Sequence, residues 1–538
     1  MSKFRYPVDT DQFAEIRQQG KVYVDKTGLM CDIISKYKYV FLARPRRFGK
    51  SLLCNTLKAY FQGQKELFEG LKVAELETEW KKYPVLHFDM SEMRNCTDIK
   101  DMRDVLSAML EYYETAYGTQ KRIDDFGKRF SQLIRHIYES LGTQVVIIFD
   151  EYDTPLMRNL YNKEMLEELR SLLRGFYQTV KLDGAYLRFV FITGVTKFSQ
   201  VSIFSELNNL KQISMLDEYS GICGVTQKEL DSVLRPCVEE YAEAIGITTD
   251  EAYALLKKNY DGYHFSPNSE DVYAPFSLLN ALNDKLTRHY WFETGTMTAL
   301  IEHLKHYPII NALQFDGVEL GGEDFNMGCE DATTPIPLLY QSGYLTIDTY
   351  DPLLRSYTLH YPNLEVREGM IRGLMPLVLN RTNIESNNML RQIARGIYEG
   401  DLSKSLVALR AYIAKIPYDI ITRKDWDESE SREGFYKMLF YMVFSLLNSI
   451  VDTEVKSILG RADVVIQTKT HVFVLELKVD DTVENALAQI EDKGYAIPYE
   501  ADGRKVIKCG VSISSEARNI THWRITDAAG NTLNEEKF

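Results

Sequence analysis

The segment Gln144-Val145-Val146-Ile147-Ile148-Phe149-Asp150-Glu151 constrains this chain more than any other. From Val145 to Phe149 it is apolar on every side, so both faces of the strand it forms must be covered. That is the pattern of a strand inside a parallel sheet flanked by helices. Three further runs have the same character: Tyr39-Val40-Phe41-Leu42-Ala43, Val85-Leu86-His87-Phe88-Asp89 after Tyr83-Pro84, and Leu187-Arg188-Phe189-Val190-Phe191-Ile192-Thr193-Gly194. Helical stretches separate them. The alternation specifies an α/β fold whose ligands lie at the C-terminal edge of a parallel sheet.

The first run leads into Arg44-Pro45-Arg46-Arg47-Phe48-Gly49-Lys50-Ser51 and then an amphipathic helix from Leu52. Strand, loop, Gly-Lys-Ser, helix is the order of a phosphate-binding P-loop. Backbone N–H groups of the loop, with the helix N-terminus, are expected to cradle the phosphates of ATP; Lys50 reaches the β/γ-phosphates and Ser51 ligates Mg²⁺. The nucleotide-binding set read here is Arg44, Arg46, Arg47, Phe48, Gly49, Lys50, Ser51 and Leu52. Arg44 stands where such loops have their first glycine. The three arginines either add phosphate-binding charge or include one that acts in trans as an arginine finger. At the end of the Gln144 run, Asp150 fits a Mg²⁺ ligand and Glu151 the group that polarises the attacking water, while Thr193 occupies the place of a γ-phosphate sensor.

Near the other end, Gly460-Arg461-Ala462-Asp463-Val464-Val465-Ile466 precedes Val472-Phe473-Val474-Leu475-Glu476-Leu477-Lys478. A tight turn at Lys469-Thr470 folds one strand beside the other. Side chains two apart share a strand face, so Glu476 and Lys478 point one way and Phe473, Leu475 and Leu477 the other. Asp463 and Glu476 are then placed to share a hard cation such as Mg²⁺, with Lys478 facing the same metal and its water. Metal to polarise a phosphoryl oxygen and an ammonium to position the nucleophile are what phosphodiester hydrolysis needs. By itself such a triplet also fits a solvated face. The helix that follows, Thr482 to Ile490, presents Val483, Leu487 and Ile490 on one side with Gln489 beside them.

A helix opening at Glu433, then Gly-Arg-x-Asp, Glu-x-Lys, Ala-x-x-Gln-Ile and Tyr495, resembles the PD-(D/E)XK nuclease superfamily over about the last 150 residues. The resemblance implies metal ligation by Asp463 and Glu476, a catalytic Lys478, and supporting roles for Gln489, Glu433 and Tyr495. The chain also carries Tyr23-Val24-Asp25-Lys26-Thr27, Phe204-Ser205-Glu206-Leu207-Asn208-Asn209-Leu210, Tyr260-Asp261-Gly262-Tyr263-His264-Phe265, Pro275-Phe276-Ser277-Leu278-Leu279-Asn280 and Tyr290-Trp291-Phe292-Glu293-Thr294-Gly295-Thr296. With the P-loop these look like the bacterial AAA-ATPase-like proteins that end in a PD-(D/E)XK nuclease domain. That family shares the arginine at the first glycine position.

The expected organisation is an AAA-ATPase-like P-loop domain with a helical lid over 1–285, a middle helical region over 286–380 that suits a winged-helix module or a packing spacer, and an α/β/α restriction-endonuclease-like domain over 381–538. Thr226 and Glu229 form a capping box that starts the lid. The segment 380–388, rich in Asn, reads as a linker. Seven scattered cysteines without C-x-x-C spacing point to a reducing cytosol and away from disulfides or zinc. No apolar stretch is long enough to span a bilayer, so a cytoplasmic protein without membrane contact is expected. A formal charge of -14 argues against broad coating of DNA and confines nucleic-acid binding to local basic patches.

The leading expectation is an ATPase and Mg²⁺-dependent nuclease in one chain, nucleotide regulating cleavage of nucleic acid, DNA before RNA, with homo-oligomers as one means of control. The alternative is a nucleotide-dependent switch or assembly protein that binds nucleic acid without cutting it.

Overall fold

The computed structural model describes residues 3–119, 123–196, 209–292, 296–307, 315–322, 327–329, 332–379, 383–416, 435–436, 439–440, 442–444, 446, 454–456, 463–500 and 503–538. The chain divides into two compact units, Met1–Thr294 with Phe315–Val366, and Gly295–Gln314 with Arg367–Phe538. Residues read as a middle region are therefore shared between them.

The first unit is built on five strands, β1 (Tyr39–Ala43), β2 (Val85–Asp89), β3 (Val145–Asp150), β4 (Leu187–Gly194) and β5 (Lys211–Gln212), ordered β2-β3-β4-β1-β5 and all parallel. β1 and β3 are buried at every position, as the two-sided apolar runs require. The registers Ala43 with Gly194 and Asp89 with Asp150 bring the polar strand ends to one edge. The helix Lys50–Phe61 returns across β3 and β2. Behind the sheet, helices Ile99–Ala116 and Phe126–Leu141 are joined by a buried ion pair: Arg129 Nε and Nη2 donate to Glu114 at 2.9 and 2.6 Å. With both groups out of water, that two-pronged geometry compensates their desolvation.

The lid opens at a short antiparallel pairing of β6 (Val225–Thr226) with β7 (Val272–Tyr273). Thr226 and Glu229 form the expected capping box on the helix Gln227–Ser232, and Glu229 also receives the Lys26 ammonium at 2.6 Å. Helices Arg235–Ile245, Thr249–Tyr260 and Pro275–Asp284 complete an apolar cluster around Tyr241, Leu256 and Leu278. A three-stranded antiparallel sheet, β8 (Val318–Gly321), β9 (Thr346–Asp351) and β10 (Ser356–His360) in the order β8-β10-β9, follows within the same unit; the helix Ile336–Gln341 precedes β9.

The second unit contains helices Asn383–Glu399 and Leu402–Ile413 and a six-stranded sheet in sequential order: β11 (Glu454–Lys456), β12 (Val464–Gln467), β13 (His471–Val479), β14 (Lys505–Ser514), β15 (Asn519–Asp527) and β16 (Thr532–Lys537). Only β13 and β14 pair parallel, across the helix Val483–Asp492. The expected linker at 380–388 is corrected from Asn383 onward, where helix begins. The apolar period of Met389, Leu390, Ile393 and Ile397, all buried, carries that helix back through the asparagines. Among the described residues no helix is long and apolar enough to cross a membrane.

Candidate active sites

The loop after β1 is held from beneath by its own side chains. Phe48 is buried and meets Tyr263, Phe265 and Trp291 edge-on, with ring centroids 4.7, 5.4 and 6.0 Å away. Arg47 adopts a left-handed φ of +67°, which a side chain disfavours. Its guanidinium donates to the carbonyls of Tyr290 and Trp291 at 2.8 and 3.2 Å and lies 4.2 Å from the Phe276 ring. Gly343, at φ +84°, fits against Pro45: a β-carbon there would come within 2.5 Å of the proline ring. Gly49 takes φ +86° as the cap of the helix Lys50–Phe61, a conformation available to glycine without strain.

Expected site residues converge on that helix start. Lys50 Nζ donates to the Pro45 carbonyl at 3.0 Å, folded into the loop. Ser51 hydrogen-bonds the Asp150 carboxylate. Burial pushes the Asp150 carboxyl up to about 6, although Ser51 and Lys50 oppose the rise. Glu151 sits at φ +47°; burial would raise its carboxyl, but Lys50, Thr154, Arg94 and Arg46 together bring it below the usual value. Its Oε2 accepts from Arg94 Nη2 and Thr154 Oγ1, each at 2.9 Å. Arg46 is the exposed arginine of the loop.

Two residues expected at the phosphates lie elsewhere. Arg44 is 2% exposed; Nη1 donates to Ala43 and Ser214 carbonyls at 3.0 and 2.7 Å, Nη2 to Tyr219 and Ser220 at 3.1 and 3.4 Å, and its guanidinium stacks 4.1 Å from the Phe265 ring. It fastens the loop to 214–220 and has no exposed donor for phosphate or for a neighbouring subunit. Thr193 is fully buried and donates to the Leu42 carbonyl at 2.7 Å, bridging β4 to β1. Sequence reasoning missed Asp153, whose buried carboxylate collects the backbone N–H groups of Val195 and Thr196 and the Thr196 hydroxyl, fixing the segment after β4. It also missed Arg94, which has no motif to mark it.

Beside the helix start lies an apolar cleft lined by Tyr23, Val24, Met30, Gly49, Leu52 and Ile222 among others. Leu52 and Phe48 thus belong to its wall.

In the second unit the β12–β13 hairpin turns at Thr468–Thr470, as expected. Asp463 N–H donates to Glu476 Oε2 at 3.3 Å, and the Asp463 carboxylate accepts the Leu477 N–H at 2.8 Å. The Glu476 carboxylate is thus held by the Asp463 backbone, and the Asp463 carboxylate by the backbone of Leu477, the residue after Glu476. Glu476 is 1% exposed, with the Lys478 ammonium 4.0 Å from its Oε1. Lys478 Nζ donates to Gln489 Oε1 at 2.6 Å, and Gln489 Nε2 donates to the Tyr495 hydroxyl at 3.4 Å. Gly510 of β14, paired with Glu476, permits this: a β-carbon would lie 2.6 Å from the Val483 carbonyl, so the helix Val483–Asp492 rests directly on the sheet. Lys508, missed in the sequence, is buried on the same strand and ties Glu491 of that helix at 2.6 Å. Two adjacent carboxylates beside an ammonium are an oxygen ligand set for a hard cation. Glu433 lies outside the described residues, as do Gly460, Arg461 and Ala462.

A family model described as a predicted AAA-ATPase matches residues 7–204, and one described as the PD-(D/E)XK nuclease superfamily matches residues 431–523. A protein of Azotobacter chroococcum mcd 1, described as an uncharacterized protein in the vnfD 5' region, is 35% identical over 538 residues, covering 97% of this chain and 98% of that one.

Proposed function

This chain belongs to the AAA-ATPase-like proteins that end in a PD-(D/E)XK nuclease superfamily domain, and from that membership we propose that it is a Mg²⁺-dependent nuclease controlled by ATP. The observation that carries the nuclease half is the meeting of Asp463, Glu476, Lys478 and Gln489 around one strand end. Asp463 and Glu476 would hold Mg²⁺, which when bound polarises the phosphoryl oxygen and lowers the pKa of water. Gln489 takes one N–H of the Lys478 ammonium and aims the others toward the carboxylates, where a water and a phosphate oxygen would lie. Lys478 thereby orients the nucleophile and offsets charge developing on phosphorus.

For the nucleotide, the loop amides and Lys50 bind phosphate, Ser51 and Asp150 would hold Mg²⁺, and the apolar cleft takes the base. Arg46 is the loop arginine available to a γ-phosphate. One observation favours binding with slow turnover: Glu151 is engaged by Arg94 and Thr154. ATP then acts as a switch more than as a fuel.

The test is cleavage of plasmid and single-stranded DNA with and without Mg²⁺ and ATP, for wild type, Lys478→Ala and Lys50→Ala. Lys478→Ala should lose at least about 100-fold in rate. Lys50→Ala should lose the response to ATP while retaining Mg²⁺-dependent cutting. Wild-type cutting that persists undiminished in Lys478→Ala removes the nuclease assignment.

A further inference from the structure

We propose that Cys54, His87 and Asp150 form a site for a thiophilic divalent cation of the Zn²⁺ class, placed directly beneath the nucleotide's phosphate end. One ligand atom from each residue lies within 4.8 Å of the other two. The fold creates the juxtaposition. β2 and β3 pair with Asp89 opposite Asp150, so His87 lies one pleat down from the acidic edge. The helix Lys50–Phe61 crosses these strands and places Cys54, one turn beyond Ser51, against them.

His87 gives the independent indication of a ligand. Its Nε2 is enclosed by protein and has no hydrogen-bond partner. Its backbone N–H and carbonyl are both fixed by the Tyr113 hydroxyl at 2.8 Å, so the residue is pinned. Buried polar nitrogens are ordinarily satisfied, and a metal bond satisfies this one. A sulfur, an imidazole and a carboxylate together select zinc-class ions over Mg²⁺, which takes oxygen ligands and keeps its water. Metal–ligand bonds of about 2.0–2.3 Å require the three atoms to draw in by about 1 Å, within reach of side-chain rotation. On binding, the Cys54 S–H bond breaks, the S–metal bond forms, and the proton leaves to solvent. Asp89 is a further carboxylate near the cluster; Lys50 and Lys58 are the nearby cations. Three protein ligands leave a fourth position for water.

Asp150 would then serve two ions. On the reading that it helps hold Mg²⁺ with ATP, a thiophilic ion withdraws it, and each ligand weakens the other by the same factor.

The experiment uses the full chain and Co²⁺ as the probe, followed by its thiolate charge-transfer absorption, with Zn²⁺ competing. Wild type should bind one ion with a thiolate band that Zn²⁺ removes. Cys54→Ala and His87→Gln, each checked for an unchanged thermal melt, should lose the band and at least tenfold in affinity. Cys54→Ser is the substitute if Cys54→Ala melts early. Absence of a thiolate band in wild type, or equal affinity in folded Cys54 and His87 variants, overturns the site. In the second arm a fluorescent ATP analogue is titrated in Mg²⁺ with and without one equivalent of Zn²⁺. At least tenfold weakening in wild type and none in Cys54→Ala is expected, and equal affinity overturns the antagonism. An analogue that fails to bind even without zinc overturns the nucleotide reading, while the cobalt result still decides the metal site.

Discussion

At Arg44 a long cation occupies a place where a phosphate loop usually has no side chain, and its four N–H contacts all go to backbone carbonyls. Substituting glycine leaves the carbonyls of Ser214, Tyr219 and Ser220 without this donor in a dry setting. Arg44→Gly should therefore cost about 3–5 kcal/mol in denaturant unfolding and bring no gain in ATP affinity by calorimetry. Arg94→Ala acts in the other direction. It frees Glu151 to meet water, so phosphate release should rise several-fold with nucleotide affinity unchanged; a fall in rate would show that Arg94 itself assists turnover. Asp150 gives a pH test. Its folded value of about 6 exceeds the unfolded value of about 3.9, so its contribution favours the fold below about pH 4 and is lost as pH rises through 6. In metal-free protein, Asp150→Asn should leave stability unchanged near pH 4 and raise it by about 1–3 kcal/mol at pH 7, read as melting temperature. That Lys50, Ser51, Asp150 and Glu151 lie near one another is legible in the sequence, because short spacing on known elements fixes their place. Arg44 and Thr193 were misread because sequence reveals a polar group without revealing which carbonyl it meets.

Among elements, the pairing of β13 with the helix Val483–Asp492 sets the geometry of the candidate site in the second unit. Lys478 and Gln489 meet at 2.6 Å because Gly510 lets the helix settle on β14. Gly510→Val must push that helix outward, since the atom it would strike is backbone. Cleavage should vanish while nucleotide binding persists; a variant that still cuts at the wild-type rate would show that the helix does not position Gln489. The strands β12 and β13 and the helix were readable from alternation and period. β14 was not assigned, although Gly510 and Lys508 complete the site, because those two residues interrupt its apolar run. The order β2-β3-β4-β1-β5 was equally hidden, since apolar runs identify parallel strands without ranking their neighbours.

For the whole molecule, one chain carries an AAA-ATPase-like domain and a PD-(D/E)XK nuclease superfamily domain. A nucleotide biases a two-state protein only through unequal affinity for its states. Cleavage rate and sedimentation should therefore differ among nucleotide-free, ADP and non-hydrolysable ATP conditions, and the ATP-analogue state should persist in Glu151→Gln. If no nucleotide changes either quantity, the two activities are independent. The net charge of -14 further requires that cutting fall steeply with salt only to the extent that local patches hold the substrate.

The aromatic anchorage of Phe48 has an implication for engineering and descent. Residues more than 200 positions apart, Phe48 with Tyr263, Phe265 and Trp291, close around one loop. A glycine-first phosphate loop transplanted from an ATPase would arrive without the ring that fills this cage or the arginines that match its carbonyls. The loop and the distant segments must therefore be exchanged together, as one discontinuous cassette, for a chimera of this protein to fold.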